Sequence, residues 1–232
     1  MTQGSGDAQH GHDSHGHDDH DHAHHDHDHD HDHSPPQPDD KVHSYYQILG
    51  VALKELLIEK GVVSADEVRA AIEMRDSITP ANGAKVVARA WVDPAYRERL
   101  LKDANAATAE LGYPMHTTHL VALENTADVH NVVVCTLCSC YPRELLGLPP
   151  SWYKSKDYRA RIVREPRAVL EEFGTPVPEN VELRVRDSTA DLRYIVVPQR
   201  PEGTQGMSED ELAKLVSRDA MIGVARAKAP QA

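Results

Sequence analysis

All three cysteines of this chain fall within six residues, Cys135-Thr136-Leu137-Cys138-Ser139-Cys140. An odd number of thiols packed that closely is a poor framework for structural disulfides. In a reducing compartment the same spacing reads as a metal site or a reactive-thiol site. Cys138 and Cys140 flank Ser139, so two thiolates and the backbone amides of Ser139 and Cys140 can converge on one ion. If those amides lose their protons, two nitrogens join two sulfurs in one plane. Such a plane suits a low-spin ion with square or octahedral preference, whereas zinc favours a tetrahedron. Cys135 can then cap the plane from one axial side, leaving the opposite side open for water or substrate.

Spacing alone leaves three readings open. A structural zinc or iron–sulfur site needs a fourth ligand, from His130 or from a partner chain. A catalytic ion other than zinc needs none. A metal-free redox thiol is the third reading.

The charge is unevenly distributed. The formal net charge is −12, and the eleven aspartates of residues 1–40, with no Glu, Lys or Arg among them, leave −1 on residues 41–232. A near-neutral body offers no electrostatic footing for nucleic acid or an anionic membrane. There is no apolar run near the roughly 18 residues of a membrane span, nor the short apolar core of a secretory signal, so a cytoplasmic location is expected. Residues 10–33 alternate His with Asp and Gly and carry nothing able to build a core, which predicts disorder. Imidazole and carboxylate together suit borderline ions such as cobalt, nickel or zinc, so the tail reads either as a solvated extension or as an auxiliary metal gatherer. Ser34-Pro35-Pro36-Gln37-Pro38 follows as a stiff spacer.

The body reads as α+β, a helical N-terminal part followed by a strand-containing domain with flanking helices. Three segments are expected: 1–40 as tail and linker, 41–112 as a helical arm, and 113–232 as the metal-binding domain. Apolar residues recur at helical spacing from Tyr45 to Lys60, with Gly61 as the stop. Ser64-Ala65-Asp66-Glu67 is a capping box for a helix to Asp76. Asn82-Gly83 is expected to break the chain before a short helix through Trp91. Asp93-Pro94 opens a helix expected to reach Gly112. Leu120–Leu123 and Asn131–Val134 are strand candidates, and the cysteines follow directly on the second. Residues 156–164 and 167–173 read as two helices or one kinked at Pro166. Val181–Arg186 and Leu192–Val197 read as strands, and Ser208-Glu209-Asp210-Glu211 opens a last helix to Val216.

Residues 134–142, Val-Cys-Thr-Leu-Cys-Ser-Cys-Tyr-Pro, resemble the metal-binding signature of nitrile hydratase α subunits. The resemblance continues through Leu146–Lys154, Tyr158–Arg161, Arg164–Arg167, Arg193–Val196, Arg200–Thr204 and Arg218–Gly223, and upstream through Gly83–Trp91. It implies a nitrile hydratase α-like fold that hydrates a small nitrile to its amide at one non-corrin cobalt(III) ion per subunit, iron being the lesser alternative. Thr136 matches the cobalt branch, since the iron branch usually has Ser there. The resemblance assigns Cys135 as axial thiolate, Cys138 as a sulfinic acid, Cys140 as a sulfenic acid, and Ser139 and Cys140 as backbone-nitrogen ligands. It also implies a β-type partner subunit, whose arginines meet the oxidised sulfurs, and a metallochaperone as a further candidate partner. Two departures bear on substrate. Arg143-Glu144 stands where many nitrile hydratases carry Trp-Pro, and an arginine there resembles the related thiocyanate hydrolase; the plainer reading pairs Arg143 with Glu144 or with a neighbouring chain. Tyr113–His119 lacks the Gln-Gly-Glu usual near the nitrile pocket, so His116 and His119 could line a polar pocket or simply be solvated. The rival classes are a cobalt- or nickel-binding accessory protein and a zinc-stabilised interaction module.

Overall fold

The computed structural model of the chain describes residues 44–230. The His/Asp run of residues 10–33 and the proline spacer lie outside the described residues. Among the described residues, those from Lys54 onward form one compact unit, separate from the start of the first helix. The boundary falls within the first helix, and all packing described below belongs to that unit.

Helix α1 spans Tyr45–Glu59 and α2 spans Ala65–Ser77, and neither buries a residue. Gly61 ends α1 as expected: it takes φ +67°, while the Val62 amide donates back to the Leu57 carbonyl at 2.9 Å. The capping box is present, with Ser64 accepting from the Glu67 amide and Glu67 accepting from the Ser64 amide.

Helix α3 corrects the expectation for Asn82-Gly83, because it runs unbroken across Pro80–Val92. Gly83 is a contact surface here: a Cβ would collide with the side chains of Leu146 and Met221. Helix α4 covers Pro94–Lys102 and α5 covers Ala104–Glu110, so the single helix expected from Asp93 to Gly112 is two. Asp103 makes the break, since its carboxylate caps the Ala106 amide at 3.0 Å, as Asp93 caps Tyr96.

Strands β1 (His119–Glu124) and β2 (Val129–Val134) follow, then single turns α6 (Arg143–Leu146) and α7 (Ser151–Lys154), which the sequence did not signal. Helices α8 (Lys156–Arg161) and α9 (Pro166–Glu172) are separate. Strands β3 (Glu182–Asp187) and β4 (Leu192–Val197) pair in parallel with β2 and β1 respectively, giving two two-stranded sheets. Helix α10 (Glu209–Ala213) is not the last, because α11 spans Arg218–Ile222. Gly223 ends α11 at φ +86° where a Cβ would strike the Asn131 backbone, so only glycine lets α11 approach β2 this closely. The architecture is α+β, with one core joining Val86, Leu100, Leu120, Val132–Val134, Leu145, Ile195 and Ile222. Every side chain of β2 from His130 onward is buried, which makes this strand a rigid base for the cysteines.

Candidate metal centre

The cysteine loop leaves the end of β2. Parallel pairing places Val134 opposite Asp187, and the Ser188 amide donates to the Val134 carbonyl at 2.7 Å. Cys135 is therefore still core, 1 % exposed, while Cys138 is exposed and Cys140 half-buried. The loop folds back so that Cys135 Sγ lies 3.4 Å from Cys138 Sγ, and Cys138 Sγ lies 3.2 Å from Cys140 Sγ. All three sulfurs fall within 4.8 Å of one another, and among the described residues no His, Asp or Glu joins the group. Ser139 sits between two converging thiols, as the spacing allowed.

Side chains from three other elements, β3, α7 and α8, hold this loop and its base. Asp187 accepts from the Thr136 amide at 2.9 Å and from its hydroxyl at 2.6 Å. Arg159 donates to the Thr136 carbonyl, Tyr153 OH to the Cys140 carbonyl at 2.8 Å, and Tyr158 OH to the Val133 carbonyl at 2.7 Å. Beneath them Tyr141, Trp152, Tyr153, Tyr158 and Phe173 stack edge to face with centroids 4.9–6.1 Å apart. Tyr141, Trp152, Tyr153, Tyr158 and Arg159 lie in the stretches that resemble the family, which gave them no role, and Asp187 and Phe173 had no sequence signal. Asp187 could have been found only by knowing that β3 pairs with β2.

The thiols differ electrostatically. Hydrogen bonds from Cys140 and Cys135 pull the exposed Cys138 thiol down to about 7. Burial pushes Cys140 up to about 12, against the nearby Arg193 guanidinium, which favours its thiolate. Three soft sulfur donors on a preformed loop, without oxygen or imidazole donors, fit a thiophilic ion and leave part of its coordination to other groups. His130 is not the fourth ligand that the zinc reading considered. Its ring faces the Gly223 carbonyl at 2.7 Å and the Asn125 amide, and burial holds its pKa below the ordinary imidazole value.

A cavity of about 570 Å³ is lined among others by Tyr113, His116, Thr118, Arg143, Arg193 and Tyr141, the residue that follows Cys140. His116 reaches it as considered from sequence, and His119 is not among its lining residues. Arg143 does not pair with Glu144. The Glu144 carboxylate instead accepts from the His116 and Thr117 amides and the Thr118 hydroxyl. The outer face carries Leu137, 88 % exposed.

Comparison with known proteins gives the family. The family described as nitrile hydratase, alpha chain, matches residues 44–225. The high-molecular-weight cobalt-containing nitrile hydratase subunit alpha of Rhodococcus rhodochrous is 52 % identical over 192 residues, covering 82 % of this chain and 95 % of that protein. Thiocyanate hydrolase subunit gamma of Thiobacillus thioparus is 46 % identical over 202 residues, covering 82 % and 83 %. Among solved structures, recombinant thiocyanate hydrolase with partially modified cobalt centres superposes with TM-score 0.75 at 43 % identity, over 81 % of this chain and 92 % of that one. An Fe-type nitrile hydratase double mutant from Comamonas testosteroni Ni1 gives 0.73 at 44 %, over 82 % and 94 %. With a cysteine loop of this geometry and a match over nearly all described residues, the chain belongs to the nitrile hydratase α-chain family.

Proposed function

We propose that the chain is the metal-binding subunit of a cytoplasmic nitrile hydratase that works with a β-type partner subunit and hydrates a nitrile to the primary amide. The observation that carries this reading is the convergence of three cysteine sulfurs from six residues, with no further His, Asp or Glu among the described residues in the group. The sulfurs of Cys135, Cys138 and Cys140 and the backbone amide nitrogens of Ser139 and Cys140 would hold one cobalt(III) ion. Cobalt is favoured over iron by Thr136 and by the cobalt-containing relatives. When bound, the metal supplies Lewis acidity toward a nitrile nitrogen or toward water.

The chain's own groups do the rest. Cys138 would carry two added oxygens as sulfinic acid and Cys140 one as sulfenic acid, both placed before turnover by an external oxidant such as dioxygen. The sulfenate oxygen of Cys140 takes a proton from the water that adds to the nitrile carbon, or attacks that carbon itself as the C–N π electrons pass to nitrogen. After such an attack a water cleaves the S–O–C linkage, releases the amide and restores the sulfenate. In the net reaction one carbon–oxygen bond forms, both water protons end on nitrogen, and nothing is oxidised or reduced. Arg193 favours negative charge on Cys140, and Asp187, Tyr153 and Arg159 fix the loop that presents it. The exposed Cys138 and Leu137 leave the outer face uncovered by the described chain, which supports a partner subunit supplying donors to the oxidised sulfurs. A metallochaperone and the His/Asp tail are auxiliary to loading.

A second reading, a thiocyanate hydrolase-like subunit, is favoured by one observation: Arg143 and Arg193 line the same cavity, and an anion would be drawn to them. The deciding experiment is metal analysis and mass spectrometry of the purified two-subunit enzyme, with an activity panel of aliphatic nitriles, aromatic nitriles and thiocyanate. About one cobalt per chain, oxygen on Cys138 and Cys140, and nitrile turnover are expected. Zinc with unmodified thiols would overturn the enzyme. Turnover of thiocyanate alone would give the second reading.

A further inference from the structure

Glu144 is the residue that the expected pairing with Arg143 left without another role. It stands on α6, four residues after the last cysteine, and its charge points away from its neighbour. Consecutive positions on a helical turn diverge by about 100°, so Arg143 and Glu144 face different surroundings. Oε1 accepts from the His116 amide at 3.1 Å and the Thr117 amide at 3.2 Å, and Oε2 accepts from the Thr118 hydroxyl at 3.3 Å. These donors lie 26–28 residues earlier in the chain. Apart from Met115, which packs partly buried against the core, the segment between α5 and β1 is otherwise tied by hydrogen bonds only near its ends. Tyr113 is tied to Thr108, and Asn105 bonds the Thr118 carbonyl at 3.0 Å and the Leu120 amide at 2.6 Å. His116 and Thr117 are exposed and make no other hydrogen bond among the described residues.

We propose that Glu144 is a positioning residue that sets substrate selectivity, by clamping the His116–Thr118 turn as one wall of the cavity that Tyr141 also lines. The inference rests on the hydratase reading above. Tyr113, Pro114 and His116–Thr118 line that cavity together with Tyr141, Arg143 and Glu144 itself, and Tyr141 directly follows Cys140 in the chain. Glu144 ties the His116–Thr118 turn to α6, so the spacing between these two lining segments follows the carboxylate's reach. The same bonds occupy its charge, and Arg143 makes no ion pair among the described residues. A clamped wall keeps the cavity in shape before substrate arrives, which lowers the ordering cost of binding.

The test compares the cobalt-loaded two-subunit enzyme with Glu144→Ala and Glu144→Gln, using hydrogen exchange at residues 116–118 and kcat/KM for a short aliphatic and an aromatic nitrile. Glu144→Ala is expected to speed exchange of the His116 and Thr117 amides by about tenfold or more, the scale of a lost charge-assisted hydrogen bond. It should also change the ratio of kcat/KM between the two nitriles by roughly tenfold, mainly through KM, as expected when one pocket wall moves. Glu144→Gln keeps one acceptor oxygen and should recover part of both effects. Unchanged exchange in both variants, or an equal loss for both nitriles through kcat, would overturn the clamp. If Glu144→Ala does not assemble, the isosteric Glu144→Gln decides by the same two readouts. Absence of nitrile turnover in the unmodified enzyme would sink the hydratase reading instead, and exchange at 116–118 would still report on the clamp.

Discussion

Asp187 grips Thr136 twice, through the backbone amide at 2.9 Å and through the hydroxyl at 2.6 Å, and so joins the end of β3 to the first residue after Cys135. A two-point bond to a carboxylate fixes both the position and the direction of the loop. Without it, Cys135 would remain anchored by the core while Cys138 and Cys140 lost their common origin. Asp187→Ala is expected to lower cobalt occupancy or activity by about 10- to 100-fold, the usual effect of losing a residue that orients metal ligands. Occupancy measured by elemental analysis checks this. Thr136→Val removes one of the two bonds and should fall between the variant and the parent.

The cysteines themselves separate chemistry from folding. Cys138 is exposed and Cys140 half-buried, and neither belongs to the hydrophobic core. Cys138→Ser and Cys140→Ser should each abolish nitrile hydration while changing the unfolding midpoint little, since surface substitutions usually stay within about 0.5 kcal/mol. Near-parental turnover by either variant would remove the roles given to these sulfurs.

The sequence made the loop legible because its chemistry is local. Three thiols in six residues can meet as soon as the chain turns back on itself, which needs no distant partner. Most elements were legible too, through Ser64 and Asp93 as caps and through the apolar runs that became β1, β2 and β4. The errors have physical causes. Gly83 looked like a breaker, yet it lies inside α3 because Leu146 and Met221, both distant in sequence, need the space. Asp103 looked like a helix interior but caps a new helix. The parallel pairing of β2 with β3, and so the meeting of Thr136 with Asp187, depends on a crossover of about fifty residues that no local pattern encodes. Glu144 was misread for the same reason: its partners are 26–28 residues away, whereas Arg143 is adjacent.

His130 gives a pH signature distinct from catalysis. Its ring is buried against the Gly223 carbonyl, and burial depresses its pKa below the unfolded value of about 6.5. The unfolded chain therefore binds a proton before the folded one does. Stability should be fully present above about pH 6.5 and should fall as the pH drops from there toward the folded-state pKa. Denaturant midpoints between pH 7.5 and 5, compared in the parent and His130→Gln, measure this. The variant should lose up to one proton's worth of the pH slope, and an identical slope would show that His130 titrates alike in both states.

The His/Asp run of residues 10–33 offers up to twelve imidazoles with interleaved carboxylates, a set suited to cobalt or nickel and distinct from the sulfur centre. Deleting residues 1–34 is expected to raise the external cobalt needed for half-maximal loading, and to leave kcat of fully loaded enzyme unchanged. Cobalt titration followed by assay at saturation separates the two. Loss of all bound cobalt in a protein without cysteine oxygenation would instead assign the metal to the tail.

The dependence on a partner follows from what the chain leaves open. Oxidised Cys138 and Cys140 would carry negative oxygens on a face where Leu137 is 88 % exposed. The Arg193 guanidinium favours the Cys140 thiolate through space, but no described side chain donates a hydrogen bond to Cys138 Sγ other than the neighbouring thiols. Anionic oxygens left without donors are costly wherever water is excluded, so an excluded, catalytically tuned site needs cations from outside this chain. The isolated chain should then be inactive even when loaded with cobalt. Adding the β-type subunit should restore turnover in step with formation of the complex by analytical ultracentrifugation. Full activity in a purified monomer would mean that Arg193 and solvent suffice for the oxidised sulfurs.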